Sequence, residues 1–447
     1  MSSRGYDVLV LGGGSAGCVL ASRLSENPDR SVCLVEAGPD YGPYEAGAWP
    51  EDMLNGRELA FSHSWETDHE DRSQLRAKIL GGCSAHNACV VLPGAPADYD
   101  EWGPGWTYDE IEPYLRRAER QLRTRQPAEH ELTPWARALC DAAGDSAIVN
   151  PLNAVGHVRW NTAFAYLDDA RDRPNLTIMA DTLVDRVLLD GDRAIGAVTS
   201  NGELNGGTVV VSASAYGSPA ILLRSGIGPE QGLPVGEGLS DHVGVGCAWE
   251  PTSVLQEDVS AFAVEHPVFM GEVTVALRSS RCPEGVSDLF LFVSIVPGEQ
   301  RWEIGGAAFA MKPRSLGWVR LNDADPRTPL SIDHGFLADP MDADVVEEGF
   351  EKLRELAASE PLRRYVAHET EPGSEVSARE HTLTAARGFF HPVGTCAIGS
   401  VVDPAGRVLG YENLVVGDAS IMPTIPRANT NLSTAAVAER IAELVAE

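Results

Sequence analysis

The chain has 447 residues, with 35 basic against 65 acidic side chains and a formal net charge of −30. That charge argues against DNA, RNA or an anionic membrane as partner, because each would meet a surface of its own sign. At 43% hydrophobic and 22% charged, the composition reads as a soluble globular protein, and the length predicts two or three domains.

No apolar run is long enough to span a bilayer, so no membrane insertion is expected. The first strand is expected to begin at Tyr6, leaving no room for a signal peptide. The eight cysteines, at 18, 33, 83, 89, 140, 247, 282 and 396, form no C-x-x-C pair and lack the density of a disulfide scaffold. A reducing cytoplasm is therefore the expected compartment.

Residues 6–36 read as strand, glycine turn, helix, strand, acid. Tyr6–Leu11 is an apolar run suited to a buried parallel strand. Gly12, Gly14 and Gly17 spell G-x-G-x-x-G. The first glycine permits the turn, the second lets the backbone approach a pyrophosphate, and the third lets the helix pack against the strand. The helix N-terminus then offers free N–H groups to the phosphates. Glu36 follows the second strand, where an acid hydrogen-bonds a ribose and disfavours a 2′-phosphate. FAD or NAD is thus expected rather than NADP.

Residues 76–94, RAKILGGCSAHNACVVLPG, place Gly81, Gly82, Cys83, Ser84, His86 and Asn87 in a tight polar loop. Its glycines let backbone lie against a flat ligand. Thr107 with Glu110 reads as a capping box opening a helix to about Gln121. Residues 122–150 are charged and poorly periodic, and predict a surface connection. Strands are expected over 175–187, 194–199 and 208–212, the last followed by Gly217 and an apolar helix. From 247 to 385, alternating strands at 268–277, 289–296, 307–312 and 318–321, with a helix at 341–358, predict an antiparallel sheet. Residues 386–447 are expected to return to the first domain.

No H-x-x-x-H helix or Cys/His cluster marks a metal site, and no G-x-S-x-G elbow occurs. His391, in Phe389-Phe390-His391-Pro392, is a candidate proton shuttle, because a histidine ordinarily titrates near the working pH. Asn429 cannot act as a base but can donate an N–H to an oxygen.

The ordered motifs GGGSAGCVLASRLSE, VCLVEAG, KILGGCSAHN, DYDEWGPGWTYDEIEPYLRRAE, YGSPAILLRSGIG, GFFHPVGTCAIG and LVVGDASIMPTIPRANTNLSTAAVAERIAELV resemble the glucose–methanol–choline family of FAD-dependent oxidoreductases. They span most of the chain. The likeness is thin over 120–160 and 245–385, and the chain is short for the family. The resemblance implies an α/β, doubly wound, Rossmann-like FAD-binding domain from residues 1–120, 160–245 and 386–447. It implies an α+β substrate domain with an antiparallel sheet over 246–385, and leaves 121–159 as a connection or trimmed lid.

The resemblance also implies the site residues. Gly12, Gly14, Ser15, Gly17, Glu36 and Ala37 would hold the nucleotide. Gly81, Gly82, Ser84, His86, Asn87 and Ala88 would lie along the flavin. Val184, Asp418, Ala419, Asn429, Thr430 and Asn431 would complete the FAD site, with Asp418 near the ribityl or pyrophosphate. The α-helix after Asn431 would aim its N-terminus at the flavin ring. His391 would be the base of alcohol oxidation and Asn429 the orienting donor. The loop G-G-C-S-x-H-N resembles the choline-oxidase-like branch, which implies covalent FAD through His86; the other reading makes His86 a polar neighbour of non-covalent FAD. His63, His69, His242 and His381 fall in no motif and read as ordinary.

The expected reaction takes an alcohol to an aldehyde or ketone, with oxygen or a quinone, protein or peptide-derived carrier as electron acceptor. Competing readings are a lyase or decarboxylase on the same fold, an electron-transfer flavoprotein, and an NAD-dependent dehydrogenase or non-catalytic nucleotide-binding module. Phe389, Phe390, Trp65 and Trp318 are candidates for substrate contact. The alcohol's identity is not legible, and a homodimer stays open.

Overall fold

The computed structural model describes residues 5–65 and 74–447; His69 lies outside them. The first sheet is built on β1 (Gly5–Leu11), β2 (Val32–Val35), β3 (Leu176–Met179), β4 (Val184–Asp190), β5 (Arg193–Thr199) and β6 (Gly202–Val211). Its order is β3-β2-β1-β6-β5-β4, and a short strand, Leu414–Val416, also pairs with β6. The β3, β2, β1 and β6 strands run parallel, with Val10 opposite both Leu34 and Val210. Val8, Leu9, Val10 and Leu11 are buried, as a strand covered on both faces requires.

Helix α1 (Ser15–Leu24) follows β1 directly. Gly12 has φ +107°, a conformation that favours glycine. A Cβ on Gly17 would lie 1.8 Å from the Gly12 carbonyl oxygen, so only glycine lets α1 leave the strand at this angle. The capping box at Thr107 opens α2 (Tyr108–Gln121) as expected: the Thr107 N–H donates to Glu110 Oε2 at 3.1 Å. The last helix, Thr430–Ala446, returns to pack on α1 and α2.

One acid is buried in that packing. Arg23 clamps Glu439 with two bonds of 2.8 Å, and the Tyr166 hydroxyl donates to the same carboxylate at 3.0 Å. The Glu439 side chain has no exposed surface, so the partners replace the water it has lost.

The second sheet is antiparallel. Its strands are β7 (Val243–Pro251), β8 (Val273–Leu277), β9 (Leu289–Pro297), β10 (Trp302–Ala310) and β11 (Val366–Glu371). They lie in the order β11-β7-β10-β9-β8. A long helix, Pro340–Ala358, packs across it, with Val346, Phe350 and Leu353 buried in the same cluster as Val245, Leu291 and Ala308.

Two expectations are corrected. Residues 122–150 are not a bare surface connection. Thr133 caps a helix, Pro134–Ala143, that buries Trp135, Ala138 and Leu139, and Ala147–Val149 pairs with β8. The helix is ten residues long and its charged approach masks its periodicity. Trp318 lies outside the large antiparallel sheet, on Gly317–Arg320 of a separate three-stranded sheet, with the Arg320 guanidinium over its ring. Among the described residues no helix is long and apolar enough to cross a membrane.

Candidate active site

A cavity of about 970 Å³ runs from the β1–α1 turn to His391. At one end its wall is Gly12, Gly14 and Ser15, with Glu36 and Ala37 from the end of β2. Gly14 caps α1 with no side-chain bond, so the first N–H groups of the helix face the cavity with the positive end of its dipole. A Cβ on Gly14 would meet only Gly82 Cα, at 4.0 Å, leaving backbone open to a ligand. Asn429, Thr430 and Asn431 bring the N-terminus of the last helix to the same cavity, again without a side-chain cap. Asn431 Nδ2 is buried with no protein partner. Helix N-termini, an open glycine cradle and an unpartnered amide suit a dinucleotide with acceptor oxygens along its length.

Glu36 is buried. Its carboxylate accepts from the Gly13 and Gly38 N–H groups, each at 2.8 Å. Burial nevertheless pushes its pKa up to about 7. Asp418 is differently engaged. One oxygen accepts from the Ser214 N–H (2.8 Å) and the Ser218 hydroxyl (2.6 Å). The other accepts from the Ser420 N–H (2.8 Å) and its hydroxyl (2.5 Å). These four bonds tie the helix Ser214–Arg224 to the turn after Leu414–Val416, so Asp418 shapes the cavity wall as well as lining it.

At the far end, His391 and Asn429 face each other, Asn429 Nδ2 lying 3.4 Å from His391 Nε2. The His391 backbone N–H donates to Asp241 Oδ1 at 3.0 Å. On its other side the His391 ring meets His242: their Nδ1 atoms are 3.0 Å apart, and His242 Nε2 is 2.9 Å from the Pro426 carbonyl. Burial, then His242 and Arg76, holds the His391 pKa well below the ordinary histidine value. Burial likewise drives His242 down to about 3 and Asp241 up to about 7. The ring of Phe389 stacks on Phe309 with centroids 3.9 Å apart and stands 4.6 Å from His391. Phe292, Phe389 and Phe390 all line the cavity.

The structure therefore gathers most of the expected residues around one space: Gly12, Gly14, Ser15, Glu36, Ala37, Gly82, His86, Asn87, Ala88, Val184, His391, Asp418, Ala419, Asn429, Thr430 and Asn431. Gly17, Gly81 and Ser84 stand behind the wall. Gly81 donates its N–H to Gly13 O at 2.8 Å, and the Ser84 hydroxyl donates back to Gly81 O at 2.6 Å. They shape the loop and do not touch the space. Trp65 lines the cavity and Trp318 does not.

Three residues escaped the sequence reading. His242, read as ordinary, bonds the His391 ring, and Asp241 anchors the His391 backbone. Asp241, His242 and His391 also lie close enough, with ligand atoms within 4.8 Å, to resemble a metal triad. Arg76, buried beneath Tyr216, lines the cavity near them. The adjacent Asp-His pair was the only local signal; its pairing with residue 391 is long-range.

Fold and cavity define a dinucleotide-cofactor enzyme whose reactive end carries an imidazole. The GMC oxidoreductase family matches this chain twice, its N-terminal part over residues 6–244 and its C-terminal part over 313–438. The chain belongs to the GMC oxidoreductase family, and its cofactor is FAD. It is 31% identical to the 5-(hydroxymethyl)furfural oxidase of Methylovorus sp. (strain MP688), covering 98% of both chains. It is 30% identical to the oxygen-dependent choline dehydrogenase of Burkholderia ambifaria (strain MC40-6), covering 100% of this chain and 94% of the relative. Pyridoxine 4-oxidase from Mesorbium loti superposes with a TM-score of 0.83 at 25% identity, covering 98% of both chains. The first two alignments run over 535 and 539 positions against 447 residues here, so the relatives carry insertions this chain lacks.

Proposed function

We propose that this protein oxidises an alcohol to an aldehyde or ketone, with His391 as the base and Asn429 as the orienting donor. The observation that carries the roles is the His391–Asn429 pair at the end of the cavity. The relatives named above act on, or are named for, alcohols, which supports the same chemistry. When bound, FAD supplies the hydride acceptor. His391 takes the hydroxyl proton at Nε2 as hydride leaves carbon, and its depressed pKa keeps the ring neutral and ready to accept. Asn429 donates to the substrate oxygen and holds it in line. Phe389 and its neighbours exclude water from the reacting carbon.

The substrate reading is an uncharged, apolar or aromatic alcohol. Arg76 and Arg387 line the cavity, while its lining carboxylates, Glu36 and Asp418, are engaged with backbone or serine donors. Among the described residues a cationic alcohol would find no free anion there. Anaerobic addition of 5-(hydroxymethyl)furfural, benzyl alcohol and choline tests this: the first two should bleach the flavin. Bleaching by choline alone would overturn the substrate class, and turnover of an alcohol without bleaching would favour a lyase. Oxygen uptake against dye reduction then separates oxygen from a carrier as acceptor.

His86 supports attachment of FAD. It lines the cavity, and its Nε2–H donates to the Ser62 carbonyl at 2.7 Å, which leaves Nδ1 with the lone pair. Burial lowers its pKa, favouring the neutral, nucleophilic ring. Acid precipitation of the purified protein should give a yellow pellet that His86→Ala abolishes. A yellow supernatant from the wild type would make His86 a flavin neighbour only. A cytoplasmic home is supported by the cysteines, all eight of which are free thiols.

A further inference from the structure

We propose that His242 is a positioning residue that fixes the tautomer of His391, so that His391 carries its proton on Nδ1 and presents the lone pair of Nε2 to the cavity. This rests on the reading of His391 as the base, but it is decided by hydrogen-bond directions within the chain.

The argument begins at a carbonyl. Pro426 O can only accept, and it receives the Ala428 N–H at 2.8 Å and His242 Nε2 at 2.9 Å. His242 Nε2 therefore bears hydrogen. The carbonyl itself is held in place from both sides. The Arg427 N–H donates to Asp98 Oδ2 at 2.8 Å, and the Lys312 ammonium donates to Ile425 O at 2.9 Å.

His242 is fully buried, and among the described residues its ring nitrogens bond only an imidazole and a carbonyl, so it stays neutral. A neutral imidazole with hydrogen on Nε2 has a lone pair on Nδ1. Among the described residues the only polar atom bonded there is His391 Nδ1, 3.0 Å away. His391 must be the donor, and its own Nε2 is left unprotonated. That nitrogen faces Asn429 Nδ2, itself a donor. The reverse tautomer would set two lone pairs against each other at His242 and two donors against each other at Asn429. It would also leave no acceptor for an alcohol proton.

A carboxylate could also hold an imidazole in this tautomer. Here the adjacent Asp241 accepts through Oδ1 from the backbone N–H groups of His391 and Phe389, at 3.0 and 3.4 Å, and its Oδ2 bonds neither ring. A neutral partner has a different consequence. It selects the tautomer without adding a negative charge that would trap the proton on His391. The chain of bonds ends at a carbonyl, so His242 orients and does not carry the proton away.

The test uses the FAD-loaded full-length protein labelled with 15N-histidine, read by NMR above neutral pH, with His391 assigned by the signal lost in His391→Ala. The expected result is amine-type nitrogen at Nδ1 and imine-type nitrogen at Nε2. His242→Asn places an acceptor oxygen where Nδ1 stands and should keep that pattern. His242→Gln keeps a donor for Pro426 but loses the acceptor, and should shift His391 towards the Nε2–H form, as should His242→Phe. A purely structural His242 would make Gln as good as Asn. Wild-type His391 in the Nε2–H form, or an unchanged Nδ1–H form in His242→Gln, would overturn the proposal. The readout needs no substrate. A correct tautomer in a protein whose flavin no alcohol reduces would therefore refute the proposed function and leave this inference standing.

Discussion

Asn429 Nδ2 and His391 Nε2 stand 3.4 Å apart, too far for a strong bond and close enough for one oxygen atom to touch both. An amide there leaves the base neutral, whereas a carboxylate would stabilise the imidazolium. Asn429→Asp is expected to raise the His391 pKa from its depressed position and to remove the donor to the substrate oxygen. The acid limb of the flavin-reduction rate should move to higher pH, because the protonated, inactive ring then persists further up the scale. Rapid-mixing reduction across pH checks this; an unmoved limb would separate the two residues.

His391→Ala should retain FAD and the flavin spectrum while slowing reduction by alcohol about 10²–10⁴-fold, the contribution of a positioned base. Single-turnover reduction under anaerobic conditions is the measurement. Turnover at the wild-type rate would remove His391 from the chemistry.

Glu36, with a pKa of about 7, should make FAD affinity depend on pH. Ribose hydroxyls donate to a carboxylate better than to a carboxyl group, so the ionised form binds more tightly. Affinity is therefore expected to rise with pH up to about 7, where the flavin-free carboxyl ionises, and to flatten above that. Fluorescence titration of flavin-free His86→Ala protein reads it, and Glu36→Gln should remove the slope.

Glu439→Ala should destabilise the fold by about 1–3 kcal/mol, because Arg23 keeps only Glu26 and the buried Tyr166 hydroxyl loses its acceptor. Chemical denaturation of the FAD-saturated protein measures it. The catalytic constants of the folded fraction should not change, since Glu439 does not line the cavity.

Much of this was legible locally. The glycine turn, Glu36 and the capping box at Thr107 are readable because each depends on residues a few positions apart. The helix at 340–358 and three strands of the second sheet, over 273–277, 289–297 and 302–310, showed in part through their periodicity, while Val243–Pro251 and Val366–Glu371 did not. The helix at Pro134–Ala143 did not, since its apolar face answers to a sheet formed more than a hundred residues later. Asp418 lines the cavity as its motif implies, but the serine bonds that hold its oxygens join segments a local motif could not pair.

The family, the cofactor and the chemical types at the reactive end were legible in short motifs, because their residues act where they stand. The proposed free nitrogen of His391, and what orients it, could be argued only from contacts made across the fold. Residues 242, 391 and 426 belong to separate segments, and a hydrogen bond acquires a direction only when folding has set donor and acceptor face to face.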